Sequence, residues 1–136
     1  MEKSNYLRKT LLLFSFIIMF SCTENPCLGC QEDTIGLSKN EVNFSSDKNS
    51  ITLTTEGKDW WLSEINYKGN ELDFKPTDTS LKQYKIENPE FTFERINATE
   101  IFIQMNKNSS KKERNLRFTL SHLNYVTLLN FKQSAD

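Results

Sequence analysis

The sequence predicts an all-β fold, an antiparallel β-sandwich of immunoglobulin-like size set behind an N-terminal export signal. Three observations predict it. Apolar residues recur at every second position in short runs between Val42 and Phe131. Turn-forming residues interrupt those runs roughly every ten residues. After residue 21 no stretch carries the i, i+3, i+4, i+7 spacing of an amphipathic helix. A strand that alternates in this way buries one face and wets the other, so two such sheets must cover each other.

The first 21 residues read as a signal peptide. Lys3, Arg8 and Lys9 precede an apolar run from Leu11 to Phe20, broken only by Ser15, and the small Ser21 stands before Cys22. As a helix, a run of about 10 residues covers about 15 Å, half the apolar thickness of a bilayer. It is too short to span. The junction Ile18-Met19-Phe20-Ser21-Cys22 resembles a loose bacterial lipobox, with Phe20 bulkier than the strict pattern prefers. That resemblance implies cleavage before Cys22, acylation of its sulfur, and attachment to the membrane through the acyl chains. The expected location is the cell envelope, as an outer-membrane lipoprotein facing the periplasm or the exterior.

Residues 22–35 are polar, hold a proline and a glycine, and show no period, so they read as an acylated tether. Residues 36–136 read as the domain. Val42-x-Phe44 and Ile51-x-Leu53 alternate on either side of the turn Lys48-Asn49-Ser50. After the turn Glu56-Gly57-Lys58-Asp59 come Trp60-x-Leu62, Ile65 and Tyr67. Lys68-Gly69-Asn70 turns the chain into a strand at Leu72-x-Phe74, and Pro76 to Ser80 form a loop. Tyr84-x-Ile86 and Phe91-x-Phe93 flank Pro89, and Ile101-x-Ile103-x-Met105 follows. Leu116-x-Phe118-x-Leu120 and Thr127-x-Leu129-x-Phe131 close the chain around a turn at His122 to Asn124.

Charge and cysteine content narrow the chemistry. Removing residues 1–21 takes away three of the 17 basic residues and one of the 18 acidic ones, which leaves a net charge of −3. Both signs are scattered. The basic residues Lys107, Lys111, Lys112 and Arg114 are diluted by Asn, Ser and Glu113 and read as a solvated turn, not a nucleic-acid stripe. Beyond Cys22, the pair Cys27 and Cys30 stands without the βαβ setting that a thioredoxin-like site needs. Nor is there a second pair to complete a zinc site. A local disulfide or two free thiols are the readings left open.

No constellation predicts catalysis, a cofactor or a metal. The single histidine, His122, falls in an expected turn, and neighbouring Ser121 points away from it on an extended chain. Glu64, Glu71 and Asp73 are close in sequence but read as wet outer positions of half-buried strands. Asp73 and Asp78 lack calcium-loop spacing. Asn97-Ala98-Thr99 and Asn108-Ser109-Ser110 read as polar turns.

Four ordered motifs carry a resemblance. They are Leu37-Ser38-x-x-x-Val42-x-Phe44; Ile51-Thr52-Leu53-Thr54-Thr55-x-Gly57-x-x-Trp60-x-Leu62; Asn108 to Arg114 followed by Leu116-x-Phe118-x-Leu120; and Leu129-x-Phe131-x-Gln133. In this order they resemble the BACON domain (Bacteroidetes-associated carbohydrate-binding often N-terminal) over residues 36–135. The chain departs from that pattern in its few glycines, its longer middle from Lys68 to Ser80, and the lack of a second domain. The resemblance implies an immunoglobulin-like sandwich among glycan-handling envelope proteins, with carbohydrate binding or a spacer role.

Aromatic residues are the candidate ligand contacts, because sugar C–H faces stack on flat exposed rings. Trp60 shares register with Leu62, so both face the core or neither does, and Trp61 points the other way. A one-residue slip exchanges the two tryptophans. Trp61 and Tyr67, with Phe102, form the candidate platform, and packing of Trp61 beneath the long middle segment is the reading ranked ahead of it. The expected function is a lipid-anchored, non-enzymatic envelope module that binds glycans weakly or serves as a spacer or accessory. The alternative is an assembly or adhesion subunit of a surface protein complex.

Overall fold

A computed structural model describes residues 31–136; the expected signal peptide, Cys22, Cys27 and Cys30 lie outside the described residues. Nine strands follow in order: β1 Glu41–Phe44, β2 Asn49–Thr54, β3 Trp61–Tyr67, β4 Asn70–Glu71, β5 Tyr84–Glu87, β6 Phe91–Arg95, β7 Glu100–Met105, β8 Arg114–His122 and β9 Tyr125–Gln133. Sheet one has the order β1–β9–β8–β3–β4 and sheet two the order β2–β7–β6–β5. The chain crosses between sheets after β1, β2, β4 and β7, the Greek-key wiring of an immunoglobulin-like sandwich. Every pairing is antiparallel except that of β1, which runs parallel to β9.

The alternation does what its period dictates. On β6 Phe91 and Phe93 point inward, on β7 Ile101, Ile103 and Met105, and on β8 Leu116, Phe118 and Leu120. Phe118 sits at the centre, its ring 4.8 Å from that of Phe93, 5.7 Å from Phe91 and 6.0 Å from Phe131. Aromatic pairs at such spacing add stabilisation beyond the area they bury.

Each end of the core is closed by a buried arginine. At one end Arg95 is fully enclosed, 3.6 Å over the Trp60 ring. Its five N–H donors go only to carbonyls: Nε to Asn97, Nη1 to Trp60 and Leu81, Nη2 to Lys58 and Ala98. One side chain thereby ties together the β2–β3 turn, the segment before β5 and the β6–β7 turn. At the other end Arg114 bonds Gln133 through Nε at 2.7 Å and contacts Glu90 and the Asn106 carbonyl. Gln133 in turn donates to the carbonyls of Ser46 and Asp47.

Four expectations change. Ile35 is fully buried in the core, so the folded body begins within the segment expected to be tether. The Asp33 carboxylate accepts from the backbone N–H groups of Ile35 and Gly36, and the Gly36 bond chiefly holds its pKa below the ordinary value. A lone isoleucine between polar residues carries no period to reveal this. Second, Leu72 and Phe74 are not a strand; they pack against the core beyond the two-residue β4. Third, Arg114 is buried and leaves the expected solvated basic turn. Fourth, His122 ends β8 opposite Tyr125 and is half-buried, with its Nδ1 enclosed and unpartnered.

The early docking of Ile35 depends on Gly57. The Ile35 carbonyl accepts from the N–H groups of Glu56 and Gly57, and a Cβ on Gly57 would run into the Thr34 carbonyl. Gly57→Ala is expected to cost about 1–3 kcal/mol, as overpacking typically does. Thermal denaturation measures it. A melting temperature equal to that of the parent chain would show that residues 33–37 give way freely.

Candidate functional site

The two faces of β3 are set by a bulge. Leu62 pairs with Leu120 but Glu64 pairs with Thr119, so Ser63 is an extra residue. Its hydroxyl donates to the Thr119 carbonyl at 3.1 Å and accepts from Ser121 Oγ at 2.8 Å. A bulge reverses the alternation beyond it. Trp61 therefore points out of the sandwich, while Leu62 and Ile65 both point in.

This reversal separates the three expected platform residues. Trp60 is the core tryptophan, 1 % exposed, and its Nε1–H donates to Thr55 Oγ1 at 3.0 Å. Trp61 is half-buried on the outer face of sheet one, opposite Ser121. Tyr67, six residues on, would share that face in an unbroken strand. Beyond the bulge it packs inward, its ring 5.9 Å from Phe91 and its hydroxyl 3.4 Å from Arg114 Nη1. Phe102 lies on β7 between Thr52 and Glu94, on the outer face of sheet two. The three rings do not form one platform. Strand pairing, which the sequence does not display, puts Phe102 on the far side of the molecule.

What surrounds Trp61 comes from other strands. Across sheet one, the row Trp61–Ser121–Val126 is followed by Glu64–Thr119–Leu128, then Asn66–Arg117–Asn130–Glu41. A last row holds Asn115, Lys132 and Asn43. Outward residues on one strand recur about every 6.6 Å, so the span from Ser121 to Asn115 is about 20 Å. The Trp61 half is apolar, with Val126 53 % and Leu128 42 % exposed, and Leu123 76 % exposed at the adjoining β8–β9 turn. The other half is a trough of about 620 Å³ whose lining includes Asn43, Asn66, Asn115 and Asn130 beside Glu41, Arg117 and Lys132.

Both cations of this trough are paired with carboxylates. Arg117 Nη2 donates to Glu64 Oε1 at 3.0 Å, and Lys132 Nζ lies 3.4 Å from Glu113 Oε1. Carboxamides and hydroxyls each donate and accept, so they complement sugar hydroxyls without a charge. Sequence reading did not single out the asparagines. They come from four strands and form no motif, and Asn66 faces outward only because of the bulge at Ser63. Among the described residues, no three His, Cys, Asp or Glu side chains gather as a metal site, and no helix is long and apolar enough to cross a membrane.

The arrangement is that of a two-sheet immunoglobulin-like sandwich with a polar trough and a tryptophan on one outer sheet face. Comparison with solved structures agrees on the fold. The chain resembles a protein from Bacteroides thetaiotaomicron solved by NMR, with a TM-score of 0.65 at 15% identity, over 80% of this chain and 93% of that one. A looser likeness is to the titin M3 domain, with a TM-score of 0.40 at 9% identity, over 71% of this chain and 88% of that one. At such identities the first likeness speaks to the fold alone. No family model matches the chain, and no curated protein does.

Proposed function

We propose that this chain is a non-enzymatic lipoprotein of the cell envelope, held through Cys22, whose outer sheet-one face binds glycans weakly. The observation that carries the reading is the presence, on one outer sheet face, of the outward Trp61 ring and, two rows along, a trough lined in part by four asparagines. A ring stacks on the C–H face of a sugar while carboxamides take its hydroxyls. The BACON resemblance supports the same reading. Its Asn108–Arg114 and Gln133 motifs serve the core end instead of this face, so they account for fold and leave the binding surface free to vary. The export signal and lipobox residues support the envelope location.

The test is Trp61→Ala on the full chain, with far-ultraviolet circular dichroism and a glycan array. Because Trp61 is outward and half-buried, the spectrum is expected to be unchanged. Glycan signal is expected to fall about tenfold, the effect of losing one stacked ring. Unchanged glycan signal in a folded variant would remove Trp61 from the site.

The exposed Leu123, Val126 and Leu128 favour a second reading, in which this face meets a protein partner. Silence toward every glycan, with a self-association that Leu128→Lys abolishes, is the result that selects it.

A further inference from the structure

We infer that the ligand of the sheet-one face is a neutral glycan chain, gripped along its length and lying parallel to β8. This rests on the glycan reading above and deepens it by naming the class of sugar.

Charge is the first ground. Glu41 lines the trough, and Glu64 and Glu113 flank it, three carboxylates against the two cations Arg117 and Lys132. Both cations already face a carboxylate. An acidic sugar entering here finds both cations already paired with carboxylates and is repelled by the unpaired Glu41, because like charges repel. A neutral sugar bears no such cost. The carboxamides of Asn66, Asn115 and Asn130 offer donors and acceptors together, where a carboxylate or sulfate group would use only the donors.

Shape is the second ground. The recognising groups are strung along a line of about 20 Å, from the Trp61 row through the Asn66–Asn130 row to the Asn115 row. They lie on a sheet face and do not converge on one point, so one sugar ring can reach only some of them. A chain of several rings touches all. Sites built to hold a chain end instead gather their polar groups in a closed hollow.

The experiment titrates the purified full chain, by calorimetry, with neutral glucan and mannan oligosaccharides of increasing length and with oligogalacturonides of matched length. Neutral chains are expected to tighten about tenfold between disaccharide and hexasaccharide, with no dependence on salt, and oligogalacturonides to give no heat. Asn66→Ala and Asn130→Ala are each expected to weaken hexasaccharide binding about tenfold with unchanged circular dichroism. Asn66→Asp, of the same shape, takes their place should either lose its fold. Glu64→Gln is expected to create oligogalacturonide binding by releasing Arg117. Preference of the parent chain for oligogalacturonides, or equal affinity for short and long neutral chains, overturns the inference and leaves the glycan reading standing. No binding to any oligosaccharide overturns both.

Discussion

Arg95→Ala is expected to lower the stability of the domain by about 4 kcal/mol, and its melting temperature by about 15–30 °C. The argument starts from what the side chain satisfies. Five carbonyl oxygens, from Trp60, Leu81, Lys58, Ala98 and Asn97, accept its N–H groups at 2.7–3.3 Å. Leaving a buried acceptor unpaired costs about 1–3 kcal/mol, and here several are unpaired at once. Burial pulls the guanidinium pKa below its ordinary value, but arginine starts so high that it stays charged at neutral pH. The cation is held by carbonyl dipoles and by the face of Trp60, a contact worth about 2 kcal/mol when desolvated. Arg95→Lys keeps the charge but loses the fork, so it is expected to recover less than half of the loss. Urea denaturation followed by tryptophan fluorescence measures both. A loss below about 1 kcal/mol for Arg95→Ala would show that water replaces the side chain readily, and Arg95 would then not be the closure of that core end.

Phe118→Ala is expected to cost about 3–5 kcal/mol, the usual range for truncating a buried phenylalanine. The residue lies on sheet one, and two of its three aromatic neighbours, Phe91 and Phe93, lie on sheet two. Its loss opens a void where the sheets meet, at a place neither can close alone. Phe102→Ala is the control, the same substitution on an outward, half-buried side chain, and is expected to cost well under 1 kcal/mol. Chemical denaturation of the pair compares two phenylalanines that differ only in facing. Equal losses would refute the assigned facing and with it the register of β7 and β8.

Much of the fold is legible in local pattern. Ile101, Ile103 and Met105 are buried as their alternation predicts, and so are Leu116, Phe118 and Leu120. Trp60 and Leu62 lie together, as parity predicts, and the structure puts that pair in the core and Trp61 outward. Tyr67 packs inward instead of joining Trp61 on the expected platform, because one inserted residue at Ser63 reverses the alternation and no residue there announces a bulge. Leu72 and Phe74 alternate like a strand yet lie outside any strand, and they are half-buried by packing against the core. Arg95 and Arg114 defeat a reading by composition. A charged residue is buried only where partners converge on it, and the partners here come from segments up to 47 positions away.

The candidate face was the least legible part. Asn43, Asn66, Asn115 and Asn130 are four unremarkable polar positions until β1, β3, β8 and β9 lie side by side.

Residue order alone determined that the chain would form short half-buried strands in two covering sheets, because the facing of a side chain repeats every second residue and needs no distant partner. It also determined that the two adjacent tryptophans face opposite ways. Only the tertiary structure decided which strands are neighbours, where the bulge falls, and hence that Trp61 shares a sheet face with an asparagine-lined trough while Tyr67 and Phe102 do not. Strand pairing joins residues more than fifty positions apart, and hydrogen bonds between backbones carry no mark in the side-chain pattern that could foretell them.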